Sequence, residues 1–171
     1  METQQPTAGK FAMNYGLVLG AIMILIQVVM YATGMALEGA QWPYILYYIL
    51  FPVIIIYAIS LFKKQNAGIL SLGQALKVGL SIAMISALVN VGYGLIFNYF
   101  IDPEFMDQLM QVGLEKAAEN PNMTPEMLEQ QEEIMRKFQN PLIGSAMWIA
   151  LSAIFGLIYS LIGGLVMKKE D

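Results

Sequence analysis

The chain consists of long uncharged stretches separated by short polar segments. Four of these stretches are long enough for membrane-spanning helices, at residues 11–35, 44–62, 78–101 and 141–167. The first holds 25 residues, and a helix of that length rises about 37 Å, whereas the hydrocarbon core of a bilayer is roughly 30 Å thick. The pattern therefore predicts an all-α integral membrane protein with four transmembrane helices in a single domain that takes in residues 1–171.

Residues 102–140 differ from the stretches around them because they are rich in charge. Nine Asp and Glu residues stand there against three basic residues, which does not fit a membrane span. Apolar side chains nevertheless recur at helical spacing. Three helix-capping side chains each precede a proline, at Asp102–Pro103, Thr124–Pro125 and Asn140–Pro141. We therefore predict helices over 103–119 and 125–139, which form an amphipathic hairpin outside the membrane.

The distribution of lysine and arginine predicts how the protein is oriented. Six lysines fall on the side of the membrane that holds both termini: Lys10, Lys63, Lys64, Lys77, Lys168 and Lys169. Lys116, Arg136 and Lys137 fall on the other side, in the charged segment. Because basic residues are retained on the cytoplasmic side, we expect cytoplasmic termini and an extracytoplasmic hairpin.

The composition excludes several classes of function. Hydrophobic residues make up 57% of the chain and charged residues 13%, whereas soluble domains average about 45–50% and 25%. The sequence has no cysteine and no histidine, so thiol and imidazole chemistry are absent. The net charge of −4 argues against nucleic acid as a partner. No phosphate-binding or nucleophile motif occurs, and we predict no enzymatic activity, no cofactor and no metal site.

Small residues recur four positions apart in three of the predicted spans. Such rows let helix backbones approach closely in lipid. The predicted helix-packing positions are Gly16, Gly20, Gly79, Ala83, Ala87, Ser152, Gly156, Ser160 and Gly164. The rows of the third and fourth spans are longer than the single Gly16–Gly20 pair, so they predict packing more specifically.

The spans contain polar residues but no Asp, Glu, Lys or Arg. This absence disfavours a proton-driven pump, since ionisable side chains usually mark proton relays in membranes. The candidate polar path comprises Gln27, Ser86, Asn90 and Asn98. These side chains could line a path or ligand pocket, or they could form hydrogen bonds that fix the bundle, which is the commoner role.

The charged segment carries an apolar stripe that needs a partner or a cover. Its candidate partner surface comprises Phe105, Leu109, Met110, Met127, Ile134 and Phe138. We therefore predict a scaffold or accessory subunit that binds other membrane or envelope proteins. The alternative is a small oligomeric transporter or channel with a polar path lined by the third helix. The predicted partners are the lipid bilayer and either another protein or further copies of the chain.

Residues 68–105 carry a recognisable pattern. It comprises Gly68-Ile69-Leu70-Ser71, Ala75, Lys77, Gly79, Tyr93, Ile96-Phe97 and Ile101-Asp102-Pro103-Glu104-Phe105. With four spans and a helical insert before the last, the chain resembles the bacterial membrane-protein family domain-of-unknown-function 4199 over roughly residues 10–168. The resemblance implies a small integral protein of the inner membrane of Gram-negative bacteria. It implies no activity, cofactor or catalytic residue.

Overall fold

The computed structural model describes residues 7–169, which are helical apart from turns and one isolated antiparallel bridge. The helices are α1 (Ala8–Ala32), α2 (Trp42–Gln65), α3 (Leu72–Ile96), α4 (Phe105–Ala118), α5 (Pro125–Gln139) and α6 (Pro141–Met167). A π-helical segment, Phe97–Ile101, continues α3. Helices α1, α2, α6 and α3 with its extension are long and apolar enough to cross a membrane. This confirms the prediction of an all-helical protein with four candidate spans.

Three of the four spans have different ends from those predicted. Helix α2 takes in residues 42–65 instead of 44–62. Helix α1 lies three residues earlier, because the Thr7 hydroxyl caps its first turn and Gly34 turns the chain with φ +73° after its end. Helix α3 starts at Leu72 instead of residue 78. The Ser71 hydroxyl accepts a hydrogen bond from the Gln74 N–H, and the Gln74 side chain accepts one from the Ser71 N–H. This reciprocal cap starts the helix before the uncharged stretch begins.

Two of the three predicted caps are confirmed. The Thr124 hydroxyl accepts a hydrogen bond from the Met127 N–H, and the Asn140 side chain accepts one from the Leu142 N–H. The prediction for Asp102 was wrong, since α4 begins at Phe105 without a side-chain cap. The π-helical segment extends to residue 101, and the Asp102 carboxylate instead accepts a hydrogen bond from the Tyr31 hydroxyl.

Helix α3 is the centre of the bundle and packs between α1 and α6. Against α6, an added Cβ atom at Gly156 would lie 2.5 Å from Ala83 Cβ. An added Cβ at Gly164 would lie 2.9 Å from Ala75 Cβ, and one at Gly79 would overlap Ser160. The two small-residue rows therefore meet along the length of these antiparallel helices and bring their backbones close together.

The opposite side of α3 holds α1. Added Cβ atoms at Gly16 and Gly20 would lie 2.7 Å from Ile85 Cβ and 2.8 Å from Val89 Cγ1. The remaining packing positions on α3 and α6, Ala83, Ala87, Ser152 and Ser160, are all buried. Every predicted helix-packing residue therefore lies in or beside a helix contact or is buried.

The two ends of the bundle are packed differently. At the end that carries the α2–α3 loop, called the closed end here, large side chains without solvent exposure fill the interior, among them Ile55, Ile59 and Ile82. Leu70 pairs there with Lys169 through two backbone hydrogen bonds of 2.9 and 3.0 Å. At the other end, called the cavity end, the helices border a half-open space.

Candidate functional site: a roofed cavity in the bundle

A cavity of about 490 Å³ lies at the cavity end of the bundle. Its walls are the C-terminal parts of α1 and α3 and the N-terminal parts of α2 and α6. The start of α4 and the end of α5 form a roof through Phe105, Met106, Leu109, Phe138 and Gln139. Cavities of roughly 300–1,000 Å³ hold small molecules in proteins, so the size is sufficient for a ligand.

Aromatic rings dominate the cavity walls. Tyr47 of α2 and Trp148 of α6 lie with their ring centroids 5.8 Å apart. On the opposite wall, the Phe97 ring lies 4.9 Å from Tyr31 and 5.9 Å from Tyr93, measured between centroids. None of the residues that line the cavity is Asp, Glu, Lys or Arg. The interior is therefore an uncharged, ring-lined space.

A hydrogen-bonded pair of amides joins α1 to α3 at the cavity wall. Gln27 Nε2 donates to Asn90 Oδ1 over 2.8 Å. Asn90 is only 6% exposed, and its Nδ2 donates to the Ser86 carbonyl over 2.9 Å. In lipid, such a bond fixes two helices relative to each other. Gln27 and Asn90 thus serve packing and also present polar atoms to the cavity.

The other two residues of the candidate polar path lie in different surroundings. Asn98 lines the cavity, and its side chain has no hydrogen-bond partner among residues 7–169. Ser86 lies outside the cavity, 1% exposed in the contact with α1, and its hydroxyl donates to the Ala83 carbonyl of its own helix. The four residues therefore do not form one continuous polar path, because Ser86 is buried in a helix contact with its hydroxyl bonded to a backbone carbonyl.

The α4–α5 roof is attached to the bundle by polar and aromatic contacts. The Tyr31 hydroxyl donates to Asp102 Oδ2 over 3.0 Å, and Lys116 Nζ donates to the Glu38 carbonyl over 2.6 Å. The Phe105 ring packs edge-on against Tyr31 and against Phe97 of the π-helical segment. These contacts hold the roof at both ends of α4.

Within the roof, α4 and α5 contact each other directly. Gln139 Nε2 donates to Asp107 Oδ1 over 2.7 Å. An added Cβ atom at Gly113 would lie 2.9 Å from the Met135 methyl group, so the glycine admits this side chain. The roof is therefore a paired unit rather than two separate helices.

The candidate partner surface is divided by the fold. Phe105, Leu109 and Phe138 line the cavity, which differs from the expectation that they face a partner. Met110 is partly buried. Met127 and Ile134 remain outward, with exposed fractions of 50% and 53%. The bundle lies beneath α4 and α5, and the roof turns most of its apolar side chains toward it. This is why these side chains line the cavity instead of facing a partner.

Charged pairs keep part of α5 in solvent. Arg136 Nη2 lies 2.7 Å from Glu132 Oε1, and Lys137 Nζ lies 2.9 Å from Glu133 Oε1. The Lys137 ammonium, which donates a hydrogen bond to Glu133, lowers the pKa of that carboxyl group. Since both partners are well exposed, the pair contributes little to stability.

Residues 14–169 match the family described as Protein of unknown function (DUF4199). The chain belongs to this family. The match covers nearly the whole chain and confirms the resemblance inferred from the sequence. No curated protein and no solved structure matches the chain. Family membership therefore identifies the kind of protein without assigning it an activity.

Sequence reasoning did not find the aromatic walls of the cavity. Tyr31, Tyr44 and Trp148 lie near the ends of spans, a position that is typical of membrane-interface anchors. The available signal was the concentration of rings at one end of α2, where Tyr44, Tyr47, Tyr48 and Phe51 follow closely. All four of these line the cavity.

Proposed function

We propose that this DUF4199 protein is a non-enzymatic accessory or scaffold protein of the bacterial inner membrane, with cytoplasmic termini and an extracytoplasmic α4–α5 hairpin. The observation that carries the proposal is the outward face of α5. Met127 and Ile134 lie two helical turns apart on one face and are both half exposed. A partner that covers this face would bury two large apolar side chains on a rigidly attached roof.

The attachment of the roof supports a docking role. A helix pair fixed to the bundle loses little conformational freedom on binding, which favours affinity. The charge on α5 surrounds the apolar face, as a polar rim surrounds the centre of many interfaces. The absence of Asp, Glu, Lys and Arg from residues 11–35, 44–62, 78–101 and 141–167 also supports an accessory role over proton-coupled transport.

A charge introduced on this face tests the proposal. The double variant Met127→Asp/Ile134→Asp is expected to lose a stoichiometric partner when the protein is extracted from its own membrane in mild detergent. Native mass spectrometry of the extracted complex provides the measurement. Glu129→Gln, which alters a charge at an exposed position of the same helix that lies away from this face, is the matched control and is expected to retain the partner.

Two results would contradict this proposal. Extraction of the unaltered protein as a monomer or as a homo-oligomer alone would remove the basis for an accessory role. Equal loss of the partner in Glu129→Gln and in the double variant would show that the apolar face is not the contact. Circular dichroism of each variant checks that α5 remains helical.

The alternative proposal is a small oligomeric transporter or channel. It receives less support, because the cavity residues all belong to one end of the bundle while fully buried side chains fill the closed end. A path would therefore have to form between copies of the chain. This alternative would be favoured if the protein supports a flux in proteoliposomes and if Asn90→Leu and Asn98→Leu abolish that flux without affecting folding.

A further inference from the structure

We propose that the roofed cavity binds one uncharged, membrane-soluble molecule that contains a planar ring and hydrogen-bonding groups, of which a quinone is the simplest example. This site is separate from the outward face of α5. The proposal depends on three features of the cavity, which are its lack of charge, its aromatic walls and its unpaired polar atoms.

The absence of charge determines the charge of the ligand. No lining residue is ionised at neutral pH, so a buried phosphate, carboxylate or ammonium group would have no counter-ion and would bind at a large cost. The carboxylates of Asp102 and Asp107 accept hydrogen bonds from Tyr31 and Gln139, which line the cavity. They would repel an anionic head group beside these two side chains. An uncharged ligand is the complementary one.

The aromatic walls determine the shape of the ligand. Tyr47 and Trp148 stand on one side and Tyr31, Tyr93 and Phe97 on another. Ring faces and edges pack best against another ring, at centroid distances of about 4.5–7 Å. A flexible acyl chain gains no such contact and loses rotational freedom when it is ordered. The walls therefore favour a planar ring over a lipid tail.

The polar atoms determine how the ring is oriented. Asn98 presents an amide without a partner among the described residues, and Ser145 presents a hydroxyl on the facing helix α6. Asn98 belongs to the π-helical segment Phe97–Ile101, a helix irregularity that is frequent at functional sites. A ring carbonyl of the ligand would accept a hydrogen bond from the Asn98 amide.

Tryptophan fluorescence tests the proposal, because the chain has only two tryptophans. Trp42→Phe leaves Trp148 in the cavity wall as the single fluorophore, and Trp148→Phe leaves Trp42, which does not line this cavity. Each protein is placed in lipid nanodiscs and titrated with menadione. We expect saturable quenching of Trp148 and only linear, collisional quenching of Trp42.

A second substitution connects the binding to the cavity. In the Trp42→Phe background, Asn98→Leu is expected to weaken menadione binding about tenfold, since it removes a hydrogen bond and leaves the ring walls intact. Asn14→Leu changes an exposed amide of α1 outside the cavity and is expected to leave the affinity unchanged. If Asn98→Leu fails to fold, Ser145→Ala serves as the second variant.

Two results would overturn the proposal. Linear quenching of equal slope in both single-tryptophan proteins would show that the cavity does not bind the quinone. The quenching could instead be saturable but unchanged by Asn98→Leu and by Ser145→Ala, and abolished by equimolar dodecanol. That result would assign the cavity to lipid chains. The proposal requires that Asn98→Leu still weakens menadione binding about tenfold when dodecanol is present.

Discussion

At the scale of single residues, glycines determine how closely the central helices approach. Gly156 admits Ala83 of α3, and Gly92 has nothing within 4 Å of the position where a Cβ would lie. Both are helical positions in predicted spans, so their contribution to helix propensity is similar. They differ only in the space around them, which the sequence does not specify.

This difference predicts opposite effects of the same substitution. Gly92→Ala is expected to stabilise the protein slightly, since alanine favours helix by about 0.5–1 kcal/mol over glycine. Gly156→Ala is expected to lower stability by about 1–3 kcal/mol, because the added methyl group overlaps Ala83. The melting temperatures of the two variants in detergent provide the measurement. A melting temperature of Gly156→Ala at or above that of Gly92→Ala would contradict the packing described here.

At the scale of elements, the sequence predicted the two helices of the α4–α5 roof but not their contribution to the cavity. The two helices follow from their apolar spacing, and α5, which Thr124 caps, has the predicted bounds. Which way their apolar side chains face depends on the bundle beneath them. Phe105 therefore lies against Tyr31 and Phe97, although its spacing alone also fitted an outward partner surface.

The roof contacts predict a local change in dynamics. Tyr31→Phe removes the hydrogen bond to Asp102 and retains the ring that packs on Phe97 and Phe105. We expect amide exchange in α4 to become about fivefold faster, which corresponds to the loss of about 1 kcal/mol. Tyr99→Phe, at an exposed tyrosine of the π-helical segment, is the control. Equal exchange in both variants would show that this bond does not hold the roof.

At the scale of the whole molecule, three long helices around a central α3 produce one filled end and one open end. The small-residue rows bring α1, α3 and α6 close together along much of their length. At the cavity end, by contrast, large aromatic side chains line a space between the helices. The resulting space is a property of the complete bundle, since four long helices and the roof all contribute to its boundary.

Orientation in the membrane is also a property of the whole molecule. The chain has no cysteine, so a single introduced thiol reports its own side of the membrane. Ala118→Cys, at the end of α4, is expected to react with an impermeant maleimide added outside spheroplasts. Gln65→Cys, at the end of α2, is expected to react only after the membrane is opened. The reverse pattern of labelling would reverse the proposed orientation.

The sequence by itself determined the helices, because their signals are local. Uncharged length indicates a candidate span, Thr124 and Asn140 cap the helices that follow them, and the row Ser152–Gly164 indicates close packing. The failure at Asp102 arose because the π-helical segment and the Tyr31 hydroxyl, 71 residues away, compete for the same residue. Local capping preferences carry no information about such a distant partner.

Only the tertiary structure decided the site. The cavity joins Tyr31, Tyr47, Asn98 and Trp148 from four separate helices, and their sequence spacing shows no common period. It also placed Ser86 in a helix contact and Asn98 in a cavity wall, although both belong to the predicted polar path of the third span. The physical reason is that the environment of a side chain depends on which helix lies opposite it. That arrangement results from packing the entire bundle.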